Sequence, residues 1–164
     1  MKRIITIALA LLMVVSVSAK KYEYSLGLST GMALGICFKT MINPHFTIID
    51  DLYYGMSFFG VQGGGGAMDE FIDCVNFAYQ GEGTKGQNIA LDWYVGGGTK
   101  LGAAGGFGMG KWGFNALVGF EINFINAPMA INFDFRPGFG LGFGGGGVMP
   151  MFDSSINAGI RYTF

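Results

Sequence analysis

Ser155-Ile156-Asn157-Ala158-Gly159-Ile160-Arg161-Tyr162-Thr163-Phe164 alternates without a break. Ile156, Ala158, Ile160, Tyr162 and Phe164 are apolar, and Asn157, Gly159, Arg161 and Thr163 between them are polar or small. A period of two makes a strand with one apolar and one polar face. In a soluble sheet the apolar face turns to a core. In a membrane barrel it turns to lipid, and the polar face lines the lumen. The rest of the sequence decides between these settings.

At the other end, Lys2 and Arg3 precede an apolar run from Ile4 to Val17, which closes on Val17-Ser18-Ala19. A basic start, a short apolar stretch and a small-residue cleavage pattern read as a secretory signal peptide over residues 1–19. The run is short of the ~20 residues a spanning helix needs. Residues 20–164 are then one exported domain. Without Lys2 and Arg3, the ten basic residues become eight against eleven acidic, a net charge of −3. No basic stripe exists for nucleic acid. Charge is sparse, aromatic residues are many, and no later stretch is apolar for the length of a helix. In lipid only helices and closed barrels satisfy their own backbone, so this composition points to a closed barrel.

Strand patterns recur between turn residues. The first spans Tyr22 to Leu28 and turns at 29–31. The second, Met32 to Thr40, sets Leu34, Ile36 and Phe38 against Ala33, Gly35, Cys37 and Lys39. After a turn at 41–45 the third runs from Phe46 to Phe59. Asp50 and Asp51 interrupt its alternation, so a bulge is expected there and neither carboxylate can be assigned a face. A Gly-rich loop fills 60–69. The fourth strand, Glu70 to Gln80, turns at 81–88, and Asp73 breaks its apolar face. The fifth runs from Ile89 to Leu101 and is followed by a loop at 102–111.

The sixth strand, Trp112 to Phe124, and the seventh, from Met129, flank the turn at 125–128. Pro137 removes a ladder donor, so a bulge or kink is expected. A last loop at about 144–154 leads into the terminal strand. The expected fold is all-β: an eight-stranded antiparallel up-and-down transmembrane barrel, the smallest that closes in an outer membrane. With both ends of the barrel domain periplasmic, Trp112 belongs to the outer aromatic girdle, and Tyr79, Trp93 and Tyr162 to the periplasmic one.

A barrel this narrow holds only side chains. Inward glycines make room for Tyr94, Arg136 or Arg161. Inward charges must pair, so Arg136 and Arg161 are expected to meet Glu121 and Asp134, with Asp92 as a further acceptor. Cys37 and Cys74 fall on strands two apart, too distant for good disulfide geometry. No catalytic constellation is visible. His45 is the sole histidine, lies in a turn and has no metal-ligand cluster around it. Gly102-Ala103-Ala104-Gly105 lacks the Lys-Ser/Thr and the βαβ setting of a phosphate loop.

Leu91-Asp92-Trp93-Tyr94-Val95-Gly96-Gly97-Gly98, Val118-Gly119-Phe120-Glu121, Ala127-Pro128-Met129, Asp134-Phe135-Arg136-Pro137 and Gly159 to Phe164 resemble the small outer-membrane β-barrel proteins common in Bacteroidetes. The likeness is good over 89–164 and loose over 22–80. It implies an eight-stranded barrel without enzyme activity. It also implies that Tyr162 and Phe164 belong to a signal read by the barrel-assembly machinery, after delivery by periplasmic chaperones. The expected role is structural or surface-interacting, in the outer membrane of a Gram-negative cell, with lipid as the surrounding partner and no cofactor. A narrow pore is the alternative, and a lipid-acting enzyme a further one. The outer loops are short and Gly-rich, which does not favour a strong protein-binding surface. A soluble secreted β-sandwich is the alternative fold.

Overall fold

The computed structural model describes residues 22–31, 33–55, 60–62, 70–104, 109–144 and 147–164. The stretch read as a signal peptide lies outside them. Among the described residues nine strands form: β1 (Tyr24–Thr30), β2 (Leu34–Asn43), β3 (Phe46–Gly55), β4 (Gly60–Gln62), β5 (Glu70–Lys85), β6 (Ile89–Ala104), β7 (Met109–Phe124), β8 (Met129–Gly144) and β9 (Gly147–Thr163). Eight of them pair antiparallel in the order β1-β2-β3-β5-β6-β7-β8-β9, and β9 returns to β1. The chain is therefore all-β, with eight antiparallel strands in a closed ring. Among the described residues no helix is long and apolar enough to cross a membrane, which says nothing about crossing by strands.

The stagger of the ring can be read from its pairs. Thr30 faces Leu34, and the same rung passes through Tyr54, Phe71, Ala103, Gly110 and Phe143 to Val148. Across the seam, however, Thr30 pairs with Ala158. Eight strands are thus staggered by ten residues, which tilts them by about 40° to the barrel axis.

The side chains alternate as the sequence requires. On β2, Leu34, Ile36 and Phe38 are exposed while Gly35, Cys37 and Lys39 are buried. On β8 the exposed Phe133 and Phe135 alternate with the buried Asn132, Asp134 and Arg136. Apolar residues face outward all round the ring, and polar and charged residues fill the inside.

Several boundaries differ from the sequence reading. β1 continues through Ser29 and Thr30, so the first connection begins after Thr30 rather than at 29–31. β5 and β6 run on to Lys85 and down to Ile89, which leaves a connection of only 86–88. The stretch expected as a last loop, 144–154, is mostly strand, because Gly147 to Phe152 pair rung by rung with β8 from Gly144↔Gly147 to Phe139↔Phe152. Polar or Gly-rich composition marks the water-facing end of a hairpin, but backbone pairing continues wherever a neighbour is present.

Asp50 and Asp51 bring no bulge: β3 keeps one register with β2 from Tyr54 to Thr47 and slips only between Met41 and Asn43, beside the Pro44 turn. Asp51 turns inward and is fully buried, while Asp50 turns outward. Two adjacent carboxylates look like a break in a period-two pattern, yet here one simply belongs to each face. Pro137 also brings no slip. The β7–β8 ladder is interrupted between Asn115↔Gly138 and Val118↔Phe135 and resumes in the same register.

β4 lies inside the segment read as a plain loop. It pairs with β9 through Gly60↔Ser155, Val61↔Ser154 and Gln62↔Asp153. Those positions lie just past the last β1 partner, Ala158. β4 therefore continues the line of β1 and covers part of the β9 edge that the short β1 leaves open.

The seam itself depends on a glycine. A Cβ on Gly27 would overlap the Ile160 carbonyl oxygen and lie 2.6 Å from Arg161 Cα, both backbone atoms that cannot swing away. Gly27→Val should destabilise the closed ring by roughly 3 kcal/mol or more. It would be read as loss of the compact, heat-modifiable species after refolding in micelles. Gly147→Ala, where nothing lies within 4 Å, should refold as the parent does.

Candidate functional site in the lumen

The inward face of each strand contributes short polar layers, stacked along the barrel. In the layer nearest Tyr24 and Phe164, the Gln80 amide donates to Asp92 Oδ2 at 2.9 Å and Asn123 donates to the same oxygen at 3.2 Å. Asp92 has no ion pair among the described residues. Its rung neighbour on β7 is Glu121, which draws the nearby cations.

Glu121 is the centre of the next layer. Lys39 Nζ donates to both its oxygens, at 3.1 and 3.0 Å, and Arg161 Nη2 contacts Oε2. The Tyr22 hydroxyl donates to Glu121 and accepts from Lys39 Nζ at 2.7 Å. The ammonium of Lys39 also sits over the rings of Tyr22 and Tyr94, 5.2 and 5.6 Å from their centroids.

A third layer surrounds Arg136. Its Nε donates to Asp134 Oδ1 at 2.6 Å and its Nη2 to Oδ2 at 3.2 Å. Nη1 lies 2.7 Å from Asp51 Oδ2, off the line of the N–H, so this contact is an ion pair rather than a directed hydrogen bond. Asp134 also accepts from the Tyr94 hydroxyl at 2.9 Å, Asn157 at 3.0 Å and Asn132 at 3.1 Å. Ser29 donates to Asp51 Oδ1 at 3.2 Å. Further up, Lys100 Nζ meets Asp153 Oδ1 at 2.5 Å.

The ring explains why these groups meet. β3 and β8 stand four places apart in a ring of eight, as do β2 and β7. Asp51–Arg136 and Lys39–Glu121 are therefore struts between opposite walls. One long side chain reaches across because the lumen is only side-chain wide. Glycines admit the larger groups. A Cβ on Gly119 would lie 2.7 Å from the Tyr94 ring and 2.6 Å from Asp134 Cβ, and one on Gly35 would lie 2.6 Å from the Tyr53 ring.

The sequence reading placed Arg136, Arg161, Glu121, Asp134 and Asp92 in one network. The structure distributes them over three layers and brings in Lys39, Asp51, Tyr22, Lys100 and Asp153. Lys39 already stood on the inward face in the sequence pattern. Asp51 was hidden by the ambiguous Asp50-Asp51 pair. Lys100 and Asp153 lay at a strand end and in a presumed loop. Asp50 and Asp73 instead share the outer face, as diagonal neighbours across the β3–β5 ladder.

Cys37 and Cys74 are free, and both lie on the rung of Asp51, one on either side of it. Two strand spacings come to about 9.6 Å, beyond disulfide reach. Each sulfur instead accepts from an arginine: Cys37 from Arg161 Nη1 at 3.3 Å and Cys74 from Arg136 Nη1 at 3.7 Å. His45 sits exposed in the Pro44 turn and stacks on Tyr79, with ring centroids 5.6 Å apart. Among the described residues no three His, Cys, Asp or Glu side chains converge for a metal. Tyr79 and Trp93 touch each other on the outer face, 5.7 Å between rings, and Trp112 packs edge-on against Phe114 at 4.8 Å. Tyr162 lies beside Phe164, at 6.2 Å.

No family model and no curated protein sequence matches the chain. Among solved structures it is similar to Neisserial surface protein A (NspA), at 11% identity and a TM-score of 0.47 over 86% of this chain and 94% of that one. It is also similar to Ail, the attachment invasion locus protein of Yersinia pestis, at 12% identity and 0.40 over 86% and 96%. A third is Acinetobacter baumannii CarO, at 9% identity and 0.35 over 88% and 98%. At those scores the likeness carries no functional weight.

Removing one strut exposes its value. Arg136→Met leaves Asp51 and Asp134 buried without their cation and should cost about 3–5 kcal/mol in urea unfolding from micelles. Asn115→Ala breaks the neutral 2.6 Å bond from Asn115 to Asn76 and should cost only about 1–3 kcal/mol.

Proposed function

We propose that the chain is an integral outer-membrane β-barrel protein of a Gram-negative cell, with a structural or surface-interacting role and no catalysis. Its lumen is closed by paired charges. The observation that carries this reading is the inverted polarity of the ring. Arg136, Arg161, Lys39, Glu121 and Asp51 are buried inside, while Leu34, Phe77, Val95, Phe114, Phe135 and Ile160 are exposed outside. A soluble sandwich would be the reverse. The exported character expected from residues 1–19 agrees with it, as does the closure of β9 on β1.

The closed lumen follows from the struts. Lys39–Glu121 and Arg136–Asp51 span the whole width, and the space between them is taken by Tyr53, Tyr94 and the layer asparagines. A lipid-acting enzyme needs a nucleophile with an activating base near the lipid. His45 stacks on Tyr79 in an exposed turn and brings no such partner.

Refolded protein should migrate faster unheated than heated on a detergent gel, and should precipitate when detergent is withdrawn. A chain that stays soluble and monomeric without detergent overturns the membrane reading. In planar bilayers the parent should be silent. Replacing Glu121 and Arg161 together by Ala should produce ion conductance in protein that is still heat-modifiable. Steady conductance in the parent would instead make it a narrow pore.

Phe164 joins the seam through paired bonds with Tyr24, at 3.0 and 2.9 Å, and its ring stacks on Tyr24 at 6.0 Å. Together with Tyr162 it is the residue we assign to recognition by the barrel-assembly machinery. Phe164→Ala should leave secretion intact and lower the inserted fraction in cells. Unchanged insertion removes that assignment.

A further inference from the structure

The layer nearest Tyr24 and Phe164 differs from the other two. Glu121 and Asp134 each hold cations, whereas Asp92 is met only by amides. We propose that Asp92, Gln80 and Asn123 form a binding site for a calcium-sized divalent cation at this end of the lumen. The inference goes beyond the reading above and needs only the closed ring.

The three residues stand on neighbouring strands, Gln80 on β5, Asp92 on β6 and Asn123 on β7. Each follows or precedes an outward aromatic residue, Tyr79, Trp93 or Phe124, and so turns inward. Only one of them is an acid, so no cluster of acids marks the place. The charges around it favour a cation. Glu82, Asp92 and Glu121 lie side by side on one rung of β5, β6 and β7. Like charges set directly opposite on a ladder destabilise it. Lys39 and Arg161 answer Glu121, and neither answers Asp92.

The amides carry the second observation. Gln80 is fully buried, and its Oε1 accepts no hydrogen bond among the described residues. The Oδ1 of Asn123 is also buried and also accepts none. A side-chain amide presents NH₂ on one side and a carbonyl oxygen on the other. Both amides turn their nitrogens to Asp92 Oδ2, at 2.9 and 3.2 Å, and this strands both oxygens. An unmade bond at a buried polar atom costs about 1–3 kcal/mol.

A cation removes that conflict. Half a turn of each amide puts its oxygen where its nitrogen stood, 2.9 or 3.2 Å from Oδ2. Oxygens held side by side on one calcium ion, each about 2.3–2.6 Å from the metal, lie roughly 3 Å apart. The carboxylate and the two carbonyl oxygens then share one ion, and no oxygen is left over. Calcium accepts such an irregular set of carboxylate and amide oxygens, while magnesium keeps most of its water and demands an octahedron. Asp92 is 8% exposed, and its rung neighbour Glu82 is fully in water. The ion therefore has an entry at the mouth and an acid beside that entry.

Calcium itself is the probe. Protein refolded in zwitterionic micelles is stripped with a chelator and titrated with CaCl₂ in a calorimeter. The temperature at which the compact gel species disappears is recorded with and without the ion. The parent should bind Ca²⁺ and keep its compact form to a higher temperature when saturated. Magnesium should bind at least about tenfold more weakly. Asp92→Asn keeps the size and one acceptor oxygen but loses the charge, and should weaken Ca²⁺ binding by about tenfold or more. Gln80→Met loses Oε1 at similar length and should weaken it in the same way. Asp50→Asn alters a carboxylate on the outer face and should bind as the parent does.

Heat-modifiable migration confirms folding of each variant, and if Asp92→Asn fails to refold, Gln80→Met decides. A parent that binds no Ca²⁺ at about 10 mM, above the weakest calcium modules, overturns the inference. Binding that survives both Asp92→Asn and Gln80→Met also overturns it, since the ion then rests on an exposed acid such as Glu82. Magnesium binding as tight as calcium binding overturns the choice of ion.

Discussion

Closure of β1 on β9 is the constraint from which the rest follows. A strand in lipid has no water for its free N–H and C=O groups, so an open edge is not tolerated. The pairs from Ser25↔Thr163 to Thr30↔Ala158, with Tyr24 bonded to Phe164, remove that edge. Closing eight strands with a ten-residue stagger sets the tilt, and strand number with tilt sets the width. The width admits side chains and little else. Charges placed on the inner face must then find each other, because no solvent can reach them.

That chain of consequence accounts for the struts. Arg136 and Asp51 come from opposite walls, as do Lys39 and Glu121. The same long side chains in a wider barrel would end in water and pair weakly. Here they brace the ring from within. Glycine is the complement of this arrangement: Gly119 and Gly35 yield room to Tyr94 and Tyr53, and Gly27 lets two backbones approach at the seam. The unevenness of the wall has the same origin. β1 is short, β9 long, and β4 returns to cover part of the step between them.

Much of this was legible in the sequence. Alternation in Leu34 to Lys39, Trp112 to Phe124 and Ile156 to Phe164 assigned both faces of those strands correctly, since a pleated strand leaves no other choice. The turn at 125–128 was legible because Asn126-Ala127-Pro128 breaks the pairing chemistry. Boundaries in Gly-rich stretches were not, because glycine pairs as readily as it turns, and only a neighbouring strand shows which. β4 is the clearest case: three residues that form a strand solely because β9 offers an open edge.

The sequence by itself determined the period of two, the apolar outside, the polar inside and an even strand count that closes. These are local properties, set by neighbours along the chain. Only the tertiary structure decided who meets whom across the lumen. Arg161 takes Glu121 with Lys39, Arg136 takes Asp134 with Asp51, and Asp92 takes amides. Those choices depend on the stagger and the diameter of the closed ring, which bring residues 85 positions apart, such as Asp51 and Arg136, to within one ion pair.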